Sequence, residues 1–179
     1  MRPRSDEDRR VLEHTGRVLE GLRKVRGLSR EEAAELAGLH PNTIKRVESG
    51  CLEASTLVVT MFCAALGCGK VEITSEGFVP SLDGADARER ACRIRMMPPA
   101  RIAWRTGESV AALRADLGLG LRSFADRAGV HYNTVWNLER GLVVPSILTL
   151  FRICRAFDIV ALDVEGERLT LRSRGASSQ

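Results

Sequence analysis

The chain has 179 residues, with 27 Lys and Arg against 23 Asp and Glu, and a formal net charge of +4. That length suits one ordinary domain or two small ones, each with a modest core, and the 44% of hydrophobic residues places it among globular chains. No segment approaches 18 uninterrupted apolar residues, which excludes a transmembrane span, while the small basic excess permits a polyanionic partner without requiring one.

The start, MRPRSDEDRR, is charged throughout and lacks the apolar stretch of a secretory signal, so a cytoplasmic location is expected. Next, TGRVLEGLRKV reads as an amphipathic helix with Val18, Leu19, Leu22 and Val25 on one stripe, stopped at Gly27. Ser29 caps REEAAELA, with Glu32 at the third helical position where a capping box needs it, and Gly38 ends that helix. Pro41 opens a third helix, since the first helical position loses no hydrogen bond to proline. Its Ile44 and Val47 face inward, and Asn42, Lys45, Arg46 and Ser49 face outward. Ser55 caps TLVVTMFCAALG, which is apolar around most of its circumference and therefore buried on most sides. KVEIT-SEG-FVPS then reads as a hairpin.

The stretch from 80 to 105 reads as a linker carrying a short Arg-rich helix, broken at Pro98-Pro99. Its Arg88, Arg90, Arg93 and Arg95 suit either phosphate contacts or a solvated helical face. Beyond it the first half repeats. An offset of 91 residues aligns 15–73 with 106–164 without a gap, pairing Leu22 with Leu113, Arg23 with Arg114, Gly38 with Gly129, Glu48 with Glu139 and Cys63 with Cys154. VAALRADLG, LRSFADRA, YNTVWNLER and SILTLFRICRAF repeat the four helices, Ser146 caps the last, and VALDV-EGE-RLTLR repeats the hairpin with its Gly-centred turn. The expected organisation is a domain at 9–79, a linker at 80–99 and a domain at 100–172. Each domain is expected to be a five-helix unit (9–73 and 100–164) followed by a short β element.

Five cysteines, Cys51, Cys63, Cys68, Cys92 and Cys154, form no CxxC pair and no cluster of zinc-site spacing. Reduced thiols, no metal and no cofactor are expected. No nucleophile-base constellation or phosphate loop is present in the sequence, and no catalytic role is assigned.

Two stretches, LRKVRGLSREEAAELAGLHPNTIKRVESG and LRADLGLGLRSFADRAGVHYNTVWNLERGLVVPSILTLFRICRAF, resemble the helix-turn-helix domain of phage Cro and repressor proteins and their XRE-like bacterial relatives. The resemblance spans about two thirds of the chain. It implies a mainly α fold, two lambda-repressor-like bundles in tandem, in which the third helix of each enters the major groove of double-stranded DNA. One α-helix fits that groove, so such a helix must stand proud of its bundle with its outward residues on base edges. The positions carried over for base reading are Pro41, Asn42, Lys45 and Arg46, then Tyr132, Asn133, Trp136 and Asn137. Thr43 and Thr134 match phosphate contacts, as does Arg30, whose counterpart Leu121 cannot donate a hydrogen bond. Arg23 with Glu48, and Arg114 with Glu139, match a partly buried ion pair joining the first helix to the reading helix. His40 and His131 stand where Ser or Thr more often caps that helix; they suit a capping or surface role, with pH sensing as the alternative.

The resemblance implies a sequence-specific DNA-binding regulator. The alternative is a protein-interaction module, antitoxin-like, with one or both reading helices degenerate and a protein partner in place of DNA. The sequence leaves the oligomeric state open, a homodimer included.

Overall fold

The computed structural model describes residues 5–82, 86–96, 98–164 and 169–171. In the first half, α1 (Asp6–Val25), α2 (Arg30–Ala37), α3 (Pro41–Glu48) and α4 (Thr56–Ala65) lead into β1 (Cys68–Ile73) and β2 (Phe78–Leu82). After α5 (Ala87–Met96) come α6 (Pro99–Asp116), α7 (Leu121–Ala128), α8 (Tyr132–Glu139), α9 (Ile147–Ala156), β3 (Ile159–Asp163) and β4 (Leu169–Leu171). The fold is mainly α, with two bundles in tandem, each followed by a β-hairpin. The second to fourth helices of the two halves coincide end to end at the 91-residue offset.

Local chemistry sets the helix ends. Ser5 with Asp8, and Ser29 with Glu32, form reciprocal capping boxes that satisfy N–H groups left open by the first turn. Ser55 and Ser146 cap α4 and α9. Gly120 opens α7 with no side chain to accept such a bond. The buried stripe of α1 differs from the expected one: it runs through Val11, Leu12, Thr15, Gly16, Leu19 and Arg23. Val18 and Leu22 are half-buried and Val25 is 76% exposed. The helix begins well before Thr15, and over this longer span the 3.6-residue period puts Val18 and Val25, seven apart, on a flank.

Each of the expected five-helix units, 9–73 and 100–164, holds four helices among the described residues, and after the fourth the chain turns into a strand. Gly67 (φ 76°) and its counterpart Asp158 (φ 54°) both take left-handed backbone after the last helix, and β1 and β3 follow at once. β1 pairs antiparallel with β2, setting Ile73 opposite Phe78 and Val71 opposite Pro80. Pro80 is tolerated because β2 lies at a sheet edge. β3 pairs antiparallel with β4; the Gly-centred turn expected between them at 165–167 lies outside the described residues.

The two halves do not keep separate cores, which corrects the expectation of two units with a core each. β1 pairs with β3, so the hairpins fuse into one antiparallel sheet of order β2-β1-β3-β4. One apolar cluster extends from Val11, Leu19, Ile44 and Phe62 to Val110, Phe124, Leu138 and Ile153. Phe78 meets Phe151 edge to face across the boundary, ring centres 5.7 Å apart. Main-chain bonds stitch the same boundary: Thr56 N–H donates to the Pro145 carbonyl (2.9 Å) and Ile147 N–H to the Ala54 carbonyl (3.0 Å). Arg152 donates to Asp8 at 2.7 Å.

The Arg-rich helix is not a free linker. α5 packs on α2 and α4, burying Ala91 and Ile94 and joining Ala37 and Ala65 in a small apolar cluster. Arg95 donates to the Glu35 carbonyl (3.3 Å), close to the C-terminal end of α2, where a cation also suits the helix dipole.

Because the core and sheet are shared, the chain is expected to unfold in a single cooperative step. Both tryptophans, Trp104 and Trp136, lie in the second half, so their fluorescence reports that half while far-UV circular dichroism reports both. Coincident urea curves are the expected result; separated midpoints would show two independent units.

Candidate nucleic-acid interface

Each half presents a short helix set by a tight turn. Gly38 ends α2 in left-handed backbone (φ 66°), the Leu39 N–H returns to the Ala34 carbonyl (2.9 Å), and His40 caps α3, its Nδ1 accepting from the Asn42 N–H at 3.1 Å. Pro41 occupies the first helical position. The second half repeats this with Gly129 (φ 63°), the bond from Val130 N–H to the Ala125 carbonyl (3.0 Å), and His131, whose Nδ1 accepts from the Asn133 N–H at 3.1 Å. In both caps the histidine Nδ1 serves as acceptor, the role a Ser or Thr oxygen would fill.

Small residues then let the third helix sit low. Ala33, Ala34 and Ala37 are buried in α2, and Ile44 and Val47 point down from α3. Gly16 is where α1 meets the end of α3: a Cβ there would collide with the carbonyl oxygens of Val47 and Glu48. Gly107 plays the same part in α6, against the Leu138 carbonyl.

Ion pairs fasten each contact. Arg23 Nε donates to Glu48 Oε1 at 2.5 Å and its Nη1 to the Leu28 carbonyl at 2.6 Å, with the side chains 7% and 1% exposed. Arg114 Nε and Nη2 make a two-pronged contact with Glu139 at 2.5 and 2.9 Å, and Nη1 donates to the Leu119 carbonyl at 2.9 Å. This second pair is more open, at 23% and 11% exposure. The hydrogen bond to Glu139 raises the Arg114 pKa above its ordinary value.

The two outward faces differ. Asn42, Lys45 and Arg46 are exposed on α3, with Pro41 and Thr43 half-buried beside them. On α8, Tyr132 and Asn133 are exposed, while Thr134, Trp136 and Asn137 are half-buried. Arg30 does not stand free toward a ligand: its Nε donates to Glu48 at 2.7 Å and its Nη2 to Glu20 at 3.3 Å, and the Glu48 hydrogen bond raises its pKa. Two arginines absent from the sequence-based site line the second face. Arg140 lies over the Trp136 ring at 4.1 Å and Arg122 over the Tyr132 ring at 5.9 Å, both guanidinium groups exposed. The four-residue spacing of Trp136 and Arg140 on successive turns was a readable signal; the Arg122–Tyr132 contact, made across the turn, was not.

The cysteines lie away from these faces or carry no ligand geometry. None of the five is in a disulfide, and burial pushes the Cys63 thiol well up and that of its repeat counterpart Cys154 to about 12, so both stay protonated. Among the described residues, no group of three or more His, Cys, Asp or Glu side chains is placed to hold a metal ion, and no helix is long and apolar enough to cross a membrane.

Removing one partner of a buried ion pair strands a charge. Glu48→Ala should therefore lower stability by about 3 kcal/mol, since two arginines converge on a carboxylate that is 1% exposed. Glu139→Ala should cost less, because water already reaches that pair. Urea titrations of the two variants check the order; equal and negligible losses would identify both pairs as solvent-screened.

Comparison with protein families agrees with this geometry. A family described as a helix-turn-helix domain matches residues 14–75, and a second, described as helix-turn-helix, matches residues 110–164. No curated protein and no solved structure matches the chain. Duplicated bundles, each with its left-handed glycine turn and a third helix seated on a glycine, belong with those matches: the chain carries two helix-turn-helix domains in tandem, the second of the Cro and phage-repressor, XRE-like family.

Proposed function

We propose that the chain is a sequence-specific regulator of transcription, cytoplasmic and without catalytic activity, that reads the major groove of double-stranded DNA with α3 and α8. The observation that carries this reading is the exposed face of α3. Asn42, Lys45 and Arg46 stand free on a helix whose far side is clamped by Gly16, Ile44, Val47 and the Arg23–Glu48 pair. Asn suits two-pronged pairing with adenine and Arg with guanine, each supplying about 1 to 3 kcal/mol of discrimination. Thr43 and Thr134 are the phosphate contacts in this reading, with Arg122 and Arg140 in the second half. Arg30 acts instead through Glu48, holding the end of the reading helix.

A second reading has its own observation. Beside α8, Trp104 is 54% exposed and Leu142 62% exposed, an apolar pair that suits a protein partner better than a phosphate backbone. In that case the first half alone reads DNA.

Two measurements test these readings. Affinity for a selected duplex should fall steeply with salt, by a logarithmic slope of about −0.9 for each phosphate neutralised; a flat salt profile would favour the protein-interaction module. Arg46→Ala should weaken specific binding more than Asn137→Ala, because a lost cation removes both phosphate attraction and a guanine contact. A larger loss from Asn137→Ala would reverse that ranking.

A further inference from the structure

The contacts between the two halves follow a rule. Ser55 bridges Ser146, and these residues are 91 apart, so each meets its own repeat counterpart. Val71 opposes Leu162, again 91 apart, and the flanking pairs, Lys70 with Asp163 and Glu72 with Ala161, exchange places about it. The bonds from Thr56 to Pro145 and from Ile147 to Ala54 are the same bond made in both directions. α4 meets its counterpart α9, and α4 touches α6 as α9 touches α1. Reciprocal contacts of this kind define an isologous, two-fold interface; a head-to-tail repeat would set each residue against a different position of the other half. The joined halves therefore form a dimer-like pair within one chain, and α3 and α8 are related by an approximate two-fold axis.

Resting on the DNA-reading function proposed above, we infer that a single chain reads an inverted repeat of two unlike half-sites and needs no second chain to do so. The backbone of a duplex carries two-fold axes of its own. When protein and duplex axes coincide, each reading helix meets the same phosphate frame on opposite strands, and the two half-sites run in opposite directions. The halves of the site differ because the faces differ: Lys45 and Arg46 on α3 stand where α8 carries Trp136 and Asn137. The axis is also already occupied. β1 and β3 use their facing edges on each other, which leaves β2, with Pro80, and β4 as the outer strands.

Two contacts at the joint break the symmetry and suit these two halves to one another. Asp8 pairs with Arg152, whose repeat counterpart is Met61, and Phe78 meets Phe151, whose counterpart is Thr60. Met61 carries no charge and Thr60 no ring, so neither contact is formed twice, as it would be between identical halves.

The test is selection of duplexes from a random-sequence pool by the full chain, followed by native mass spectrometry on the selected site. The expected result is a motif in two unlike parts of opposite orientation, with centres a whole number of helical turns apart, each about 10 base pairs, and one chain on each duplex. Reversing one half of the site should lower affinity by at least about tenfold. Arg46→Ala should blur the preference in one half and Asn137→Ala in the other. A direct repeat, a lone half-site, or a symmetric palindrome carrying two chains would overturn this inference while leaving DNA reading intact. Recovery of no motif at all would overturn both the inference and the function on which it rests.

Discussion

The close crossing of the first helix and the third is the constraint on which the rest of each bundle depends. At Gly16 and Gly107 the missing side chain lets the carbonyl end of α3 or α8 rest directly on the helix beneath it. The contact places Glu48 within reach of Arg23 and Arg30, and Glu139 within reach of Arg114. A carboxylate so enclosed is tolerated because several charge-assisted hydrogen bonds replace the water it has lost. The inner side of the third helix is thereby fixed, and only its outer residues are free to vary without disturbing the fold.

That division of labour explains what the duplication kept. Cap, turn glycine, seat glycine, arginine and glutamate recur at the same positions because each is tied to backbone geometry or to a buried charge. Lys45, Arg46, Trp136 and Asn137 differ because nothing beneath them dictates their identity. In the second half, arginines have come to lie over the aromatic rings of Tyr132 and Trp136. Such stacking keeps the cation exposed while covering an apolar ring, so the two faces carry positive charge by different means.

Much of the local structure was legible in the sequence because its causes lie within a few residues: Ser29 with Glu32, Pro41 after His40, Gly38 at the end of α2. The inward set of α3, Ile44 and Val47, follows from helical period alone. What stayed hidden depends on partners distant in the chain. Nothing near Val71 says that its strand will meet Leu162, and nothing near Ala91 says that α5 will dock on α2 and α4. Arg30 illustrates the limit at the site. Its position at the start of α2 is equally suited to a phosphate and to Glu48, and only the folded arrangement brings Glu48 to it.

The shared sheet has a kinetic meaning as well as an architectural one. Where two separate subunits must associate before both can grip one ligand, the competent form grows with the square of protein concentration as long as association is weak. In this chain the two bundles are covalently one, so their effective concentration toward each other is fixed by the fold rather than by expression. The response of any ligand gripped by both bundles then rises in simple proportion to the amount of protein, without the threshold that assembly imposes. Each outward face is also encoded only once, so a substitution in α3 changes one face and leaves α8 as it was.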